Sequence, residues 1–379
     1  MRARRLIIPA LLSATTLGTV GAAAFVAWRI IHPVRSRPTQ ILDVSSDGRI
    51  VLESTPMTRQ DGELGLLYDD ESQHAVLGPI LNIDRDARVE RSLAVAPGST
   101  PPLAGTFARP IGNVFATAQA VSPDAREVTI DTAYGVAPAW LFPGTEASAT
   151  TWAIHIHGSL SGRDGAFRSV QSLFDTGFTS LVPSMRGDGD GPPAPRGAFT
   201  LGQTEWLDIE NALDYAAHQG AEKILLIGWS SGASIALRLA FSSKHDDLIG
   251  GLILIAPVIS WRNSIRLSSK NFGVPKVIAD ASIWALGVGK VAQLLGSPEP
   301  LRFSELDWSR RGLRRKSPVL VLHSDGDTVA SYEDSKAFEK MRRDYVTLTT
   351  FTPAVHALEW NANPIRFSNA IRRWVKTHR

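Results

Sequence analysis

The pentapeptide Gly228-Trp229-Ser230-Ser231-Gly232 joins an apolar, strand-like run, "KILLIG", to a stretch of helical character. A serine at such a junction stands on a turn too sharp for side chains at its neighbours, which accounts for glycine on both sides. Ser230 is therefore a candidate nucleophile. The amide of Ser231, at the start of the helix, would face an oxyanion developing on an attacked carbonyl. A serine hydroxyl needs a general base to become nucleophilic, and the base needs a carboxylate to orient it. After a strand–turn–helix of this kind, the expected chain order is serine, then acid, then histidine.

Downstream of Ser230 stand His245, His323, His356 and His378. His245 lies in the charged loop "SKHDD", and His378 follows the last periodic stretch; solvation is the simplest role for both. His323 closes a strand, where a packed or hydrogen-bonded role fits better. His356, in "TPAVHALEW" between a strand and a helix, is the candidate base. For the acid, "VLHSDGDTVA" offers Asp325 and Asp327 beyond the carboxyl end of a strand. Val329, suited to re-entering the core, favours Asp327; Asp307 and Glu305 are remoter alternatives. His155 and His157 alternate along another strand, but no third ligand follows at a recognisable spacing, so no metal and no organic cofactor is expected. His155 reads as buried structure, and Trp229 as packing.

The elements that must position these residues follow from the hydrophobic pattern. From about residue 121 onward, short apolar strands ("REVTIDT", "TWAIHIHG", "FTSLVP", "KILLIG", "IGGLILIAP", "PVLVLHSD", "YVTLTTF") alternate with amphipathic helical stretches. That alternation predicts an α/β fold with a mostly parallel sheet covered on both faces, its ligands bound beyond the carboxyl ends of the strands. An insertion at about 260–312 interrupts it. There Val277, Ala281, Trp284, Val288, Val291 and Leu295 would share one helical face, either packed on the body or lining an acyl pocket as a cap. Residues 32–120 read as a small strand-rich region, with "APGSTPPLAGTFARPIG" as linker or long loop.

The chain has 379 residues, a formal net charge of only +3 and no cysteine. Disulfides and a cysteine nucleophile are excluded, and nucleic acid is not an expected partner. "MRARR" precedes an uncharged run from Leu6 to Trp28, roughly 34 Å long as a helix, enough to cross a hydrocarbon core of about 30 Å. Residues 1–31 are thus expected to be a signal anchor, a transmembrane helix with the catalytic domain outside the cytoplasm. The alternative is a secreted protein, cleaved at Ala22-Ala23-Ala24.

From about residue 121 to the C-terminus the chain resembles the α/β-hydrolase superfamily, in the order "HIHGSL", "GWSSGAS", "HSDGDTV" and "TPAVHAL". More narrowly, it resembles exported, membrane-anchored actinobacterial hydrolases. The resemblance implies an eight-stranded-type sheet, Ser230, Asp327 and His356 as the catalytic set, and the backbone amides of Ser159 and Ser231 as the oxyanion hole. Asp327, not Asp325, matches the family's acid. "PSMRGDGDGP" resembles a family loop, so its Arg-Gly-Asp is not read as an adhesion signal. Ser324 and Ala233 stand where relatives carry glycine.

The expected function is hydrolysis of a small-molecule or lipid carboxylic ester through an acyl-enzyme. A peptidase, amidase or acyltransferase would use the same groups. A binding module on the same scaffold would have no need of all three side chains.

Overall fold

The computed structural model describes residues 4–35, 37–84, 88–96, 98–145, 149–351 and 353–378, with side chains from Gly18 onward. A helix, α1 (Arg4–Ile31), leads into six strands: β1 (Thr39–Ser45), β2 (Arg49–Glu53), β3 (Leu64–Tyr68), β4 (Gln73–Ile83), β5 (Arg88–Val95) and β6 (Phe107–Ile111). They close into an antiparallel barrel in the order β1-β2-β5-β4-β3-β6. Alternate residues point inward, so Ile41, Ile50, Leu52, Leu64, Leu66, Ala75 and Leu77 fill the interior. The stretch expected to be a linker supplies the closing strand: β6 pairs with β1 and β3. Its Pro110 breaks the strand signal, yet closure needs only a short run there.

Among the described residues no helix is long and apolar enough to cross a membrane. Most of the uncharged run expected to do so, residues 6–17, lies outside the residues whose side chains are described.

The second body is an eight-stranded sheet in the order β14-β13-β12-β11-β9-β10-β8-β7. Its strands are β7 (Arg126–Thr132), β8 (Gly135–Phe142), β9 (Thr151–Ile156), β10 (Thr179–Pro183), β11 (Lys223–Trp229), β12 (Ile249–Ile255), β13 (Val319–Ser324) and β14 (Val346–Phe351). Only the pairings of β8 are antiparallel. The central strands are buried but for Lys223 and Gly250 near their amino ends, because helices cover both faces. These helices are α2 (Phe167–Leu173), α3 (Trp206–His218), α4 (Ser231–Ser242), α8 (Tyr332–Lys340), α9 (Glu359–Ala362) and α10 (Pro364–His378). Two apolar clusters flank the sheet, one around Ile209, Leu213 and Ile235, the other around Phe167, Ile371 and Trp374.

Between β12 and β13 the insertion forms α5 (Trp261–Asn271), α6 (Lys276–Gly287) and α7 (Gly289–Leu294). The expected single apolar stripe is not there. The backbone turns extended at Val288, which ends α6. Val277 and Trp284 face outward, while Ala279, Ser282, Ile283 and Leu286 form the buried side. That buried side packs on Ala27 and Ile31 of α1, so the end of α1 belongs to the cap's own core.

Candidate active site

β11 ends at Trp229 and α4 begins at Ser231, leaving Ser230 at φ 52° and ψ −113°. A side chain rarely adopts that region, and here the packing enforces it. A Cβ on Gly228 would lie 2.5 Å from Ala233 Cα, and one on Gly232 2.3 Å from the Ile156 carbonyl oxygen. No larger residue fits either position. The Ser230 amide donates to the Ile255 carbonyl at 2.8 Å, tying the turn to the neighbouring strand.

The Ser230 hydroxyl lies 2.7 Å from His356 Nε2, and His356 Nδ1 lies 2.6 Å from Asp327 Oδ2. An ionised carboxylate only accepts, so Nδ1 carries the proton and Nε2 is left free to accept from Ser230. Asp327 is held on every side. Its Oδ1 accepts the amides of Val329 and Ala330 at 2.7 and 2.9 Å. Its Oδ2 also accepts from His323 Nε2 at 3.1 Å, while His323 Nδ1 meets the Ser335 hydroxyl at 2.8 Å. Burial pushes the Asp327 carboxyl up, but the charge of His356 and the hydrogen bonds from both histidines outweigh it. The result is a pKa well below the carboxylate range. Burial pulls His356 down, but Asp327 beside it raises it above the ordinary imidazole value.

The other candidates lie elsewhere. Asp325 is exposed. Glu305 pairs with Arg238, and Asp307 accepts from Ser309. His245 pairs with Asp214, and His378 contacts the Trp374 carbonyl. His155 is enclosed between the hydroxyls of Ser169 and Ser180, and burial pushes it down to about 3. His157 forms a buried ion pair with Asp188 at 2.6 Å. Among the described residues no three His, Asp or Glu side chains are grouped to hold a metal ion. Trp229 is buried, with its indole N–H donated to Ser169.

Ser159 and Ser231 do meet, with one unexpected feature. The Ser159 amide donates to the Ser231 hydroxyl at 2.8 Å. The amide expected to serve an oxyanion is thus occupied by a side chain that a rotation about χ1 would withdraw.

Residues that carried no sequence signal hold the histidine loop. From the barrel, Gln60 Oε1 accepts the Val355 amide at 2.8 Å. The segment bearing Gln60 is fixed by Arg91, fully buried, whose guanidinium donates to the carbonyls of Thr58, Gln60 and Gly62. From α2, Arg168 donates to the Ala357 carbonyl at 2.8 Å and to Asn361 at 2.6 Å, with its guanidinium over the Trp229 ring. Asn361 in turn donates to the carbonyls of Glu63 and Gly112. Glu359 is buried close by, where burial raises its carboxyl while it accepts the Ser324 amide. The barrel and the sheet therefore share one polar network beneath His356.

Residues 153–374 match the alpha/beta hydrolase family. The chain belongs to that family and is a hydrolase. Residues 40–109, nearly all of the barrel, match a domain of unknown function. No curated protein matches the chain in sequence. Among solved structures, an esterase from Pyrococcus furiosus is similar in two crystal forms. One is 20% identical, covering 69% of this chain and 94% of that one with a TM-score of 0.52. The other is 18% identical, covering 74% and 99% with a TM-score of 0.53. At such identity the likeness is one of fold.

Proposed function

We propose that the protein is a serine hydrolase of carboxylic esters, with Ser230 as nucleophile, His356 as general base and Asp327 as the orienting acid. The observation that carries this reading is the unbroken hydrogen-bonded chain from the Ser230 hydroxyl through His356 to Asp327, built on a strained turn. His356 takes the Ser230 proton as the hydroxyl attacks the ester carbonyl. The Ser231 hydroxyl swings aside, and the amides of Ser159 and Ser231 receive the oxyanion. Such donors are worth roughly 3 kcal/mol each. His356 then protonates the leaving alcohol, and water, activated by the same imidazole, releases the acid. The esterase among the similar structures supports an ester as the substrate class. We place α1 in a membrane, with the hydrolase outside the cytoplasm, on the strength of the uncharged run from Leu6 and the basic residues before it.

The test is a fluorophosphonate probe followed by peptide mapping, beside turnover of p-nitrophenyl esters of increasing chain length. The adduct is expected on Ser230, with ester turnover. An adduct without ester turnover would favour a peptidase or acyltransferase; an adduct on another serine would overturn the assignment.

The pH dependence carries a definite sign. His356 acts as a base only when neutral, and its pKa is raised above the ordinary value near 6.5. kcat/KM should therefore fall as pH drops through a pKa above about 6.5. Stability runs the other way for this group. The His356–Asp327 ion pair stabilises the fold fully below the unfolded imidazole pKa, and that contribution is lost as pH rises through the folded one. The depressed carboxyl of Asp327 adds stability above about pH 4, lost as pH falls towards its folded value. A pH–rate profile with its acid limb well below 6 would contradict the raised imidazole.

A further inference from the structure

We propose that the cap and the end of α1 form a single bilayer-docking surface, which offers the active site to acyl esters carried in an anionic lipid interface. The proposal rests on α1 as a membrane helix and on Ser230 as the nucleophile.

The first observation is how α1 meets the cap. Ala23, Ala27 and Ile31 recur at intervals of four residues on one face of α1 and are buried. Ile283 and Leu286 of α6 share a core with the last two. The Ser282 hydroxyl donates to the Ala23 carbonyl at 2.9 Å, so α6 crosses α1 at that level. From Leu6 to Ala23 a helix rises roughly 26 Å, against a hydrocarbon core of about 30 Å. If α1 enters the bilayer from Leu6, α6 lies at its boundary with water.

The second observation is what α6 and its neighbours expose there. Val277 and Trp284, seven residues apart on one face of α6, are 65% and 64% exposed; Phe272 before it and Leu294 of α7 are 85% and 87% exposed. On α1, Phe25 and Trp28 stack on one another, also exposed. Large apolar side chains scattered singly over a surface need no explanation, but these lie on α1, α6 and α7 and just past the end of α5, and α1, α5 and α7 all pack against α6. Tryptophan at the hydrocarbon boundary is the placement its amphipathic ring favours. Basic residues accompany them. Lys270 and Lys290 are exposed close in the chain to Phe272 and Leu294, and Lys276, next to Val277, is exposed and paired with Asp280. An apolar face with a cationic margin fits acyl chains below anionic headgroups.

The third observation links this surface to the chemistry. Asn271, at the end of α5, donates to the carbonyl of Thr328, next to Asp327, at 2.6 Å. Asn263 donates to Asp334 at the start of α8. The cap thus rests on the loop that carries the acid, and docking it brings Ser230 to the lipid surface.

The chain has no cysteine, so single cysteines can report position in the full-length protein reconstituted in phosphatidylglycerol-containing vesicles. An environment-sensitive fluorophore would be placed at Val20→Cys, Val277→Cys, Trp284→Cys and Met341→Cys, with nitroxide-labelled acyl chains as quencher. Emission is expected to shift to the blue and to be lost at 20, 277 and 284. At 341, an exposed position at the far end of α8, it should be retained. Quenching at 20 alone would overturn the docking surface and leave α1 as a plain anchor. Quenching at none of the four would overturn both. Labels at 277 and 284 shielded from nitroxide lipid and from aqueous iodide alike would mean that a second copy covers the face, against the proposal. As a functional arm, Val277→Ser with Trp284→Ser should lower turnover of a vesicle-borne ester about tenfold. Turnover of a short soluble ester should be unchanged. Equal loss on both esters would overturn the proposal.

Discussion

Ser230→Ala should lower kcat for a carboxylic ester by about a millionfold, or roughly 8 kcal/mol of barrier. In the proposed mechanism the Ser230 hydroxyl is the atom that bonds to substrate, and no other hydroxyl meets His356 Nε2 among the described contacts. The hydroxyl of the adjoining Ser231 accepts the Ser159 amide. The groups act as a unit, so removing His356 as well should cost little more. A residual acceleration of about a thousandfold over water should survive from the amides and from binding. The variant is expected to fold. Alanine keeps the Cβ, and the hydrogen bond from the residue 230 amide to the Ile255 carbonyl does not involve the side chain. Turnover of the purified variant, with its circular dichroism spectrum, checks both parts. A kcat within tenfold of the wild type would remove Ser230 from the mechanism.

The elbow was legible in the sequence because a steric requirement writes itself as composition. Positions whose Cβ would lie within about 2.5 Å of backbone must be glycine, and glycine at that spacing after an apolar run is readable. The parallel strands were legible for a similar reason, since burial on both faces removes polar residues altogether. The cap was harder. Six apolar residues at helical spacing look like one stripe, but periodicity cannot reveal the backbone turning at Val288. Nor does it say that α1 has already claimed the other face of α6. Barrel closure depends on β6 pairing with residues forty or more positions earlier, a register that no local pattern encodes. Gln60, Arg91 and Arg168 carried no signal at all. Each acts by donating to or accepting from backbone carbonyls and amides, which leave no trace in the identity of their partners. His323 was read as packed or hydrogen-bonded, and it is buried and hydrogen-bonded, but its partner could not be inferred. Four residues along a strand and its following turn bring its Nε2 onto the same oxygen that His356 uses.

That shared oxygen determines what Asp327→Asn should do. The two backbone amides of Val329 and Ala330 demand an acceptor, so the asparagine carbonyl oxygen must take the place of Oδ1. Its NH₂ group is then forced into the place of Oδ2, facing His356 Nδ1 and His323 Nε2. Two donors cannot share a hydrogen bond, so His356 must accept at Nδ1 and carry its proton on Nε2. In that tautomer it faces Ser230 with a proton already in place and cannot remove another. His323 can adapt, because its far nitrogen meets a hydroxyl that both donates and accepts. The variant should therefore fold, while kcat drops by about 10⁴-fold. The residual activity should have its acid limb at lower pH than the wild type. The charge that raised His356 is gone, and the burial that lowers it remains. A pH–rate profile of Asp327→Asn beside the wild type measures both effects. A loss under tenfold, or an acid limb left where it was, would show that Asp327 does not set the state of His356.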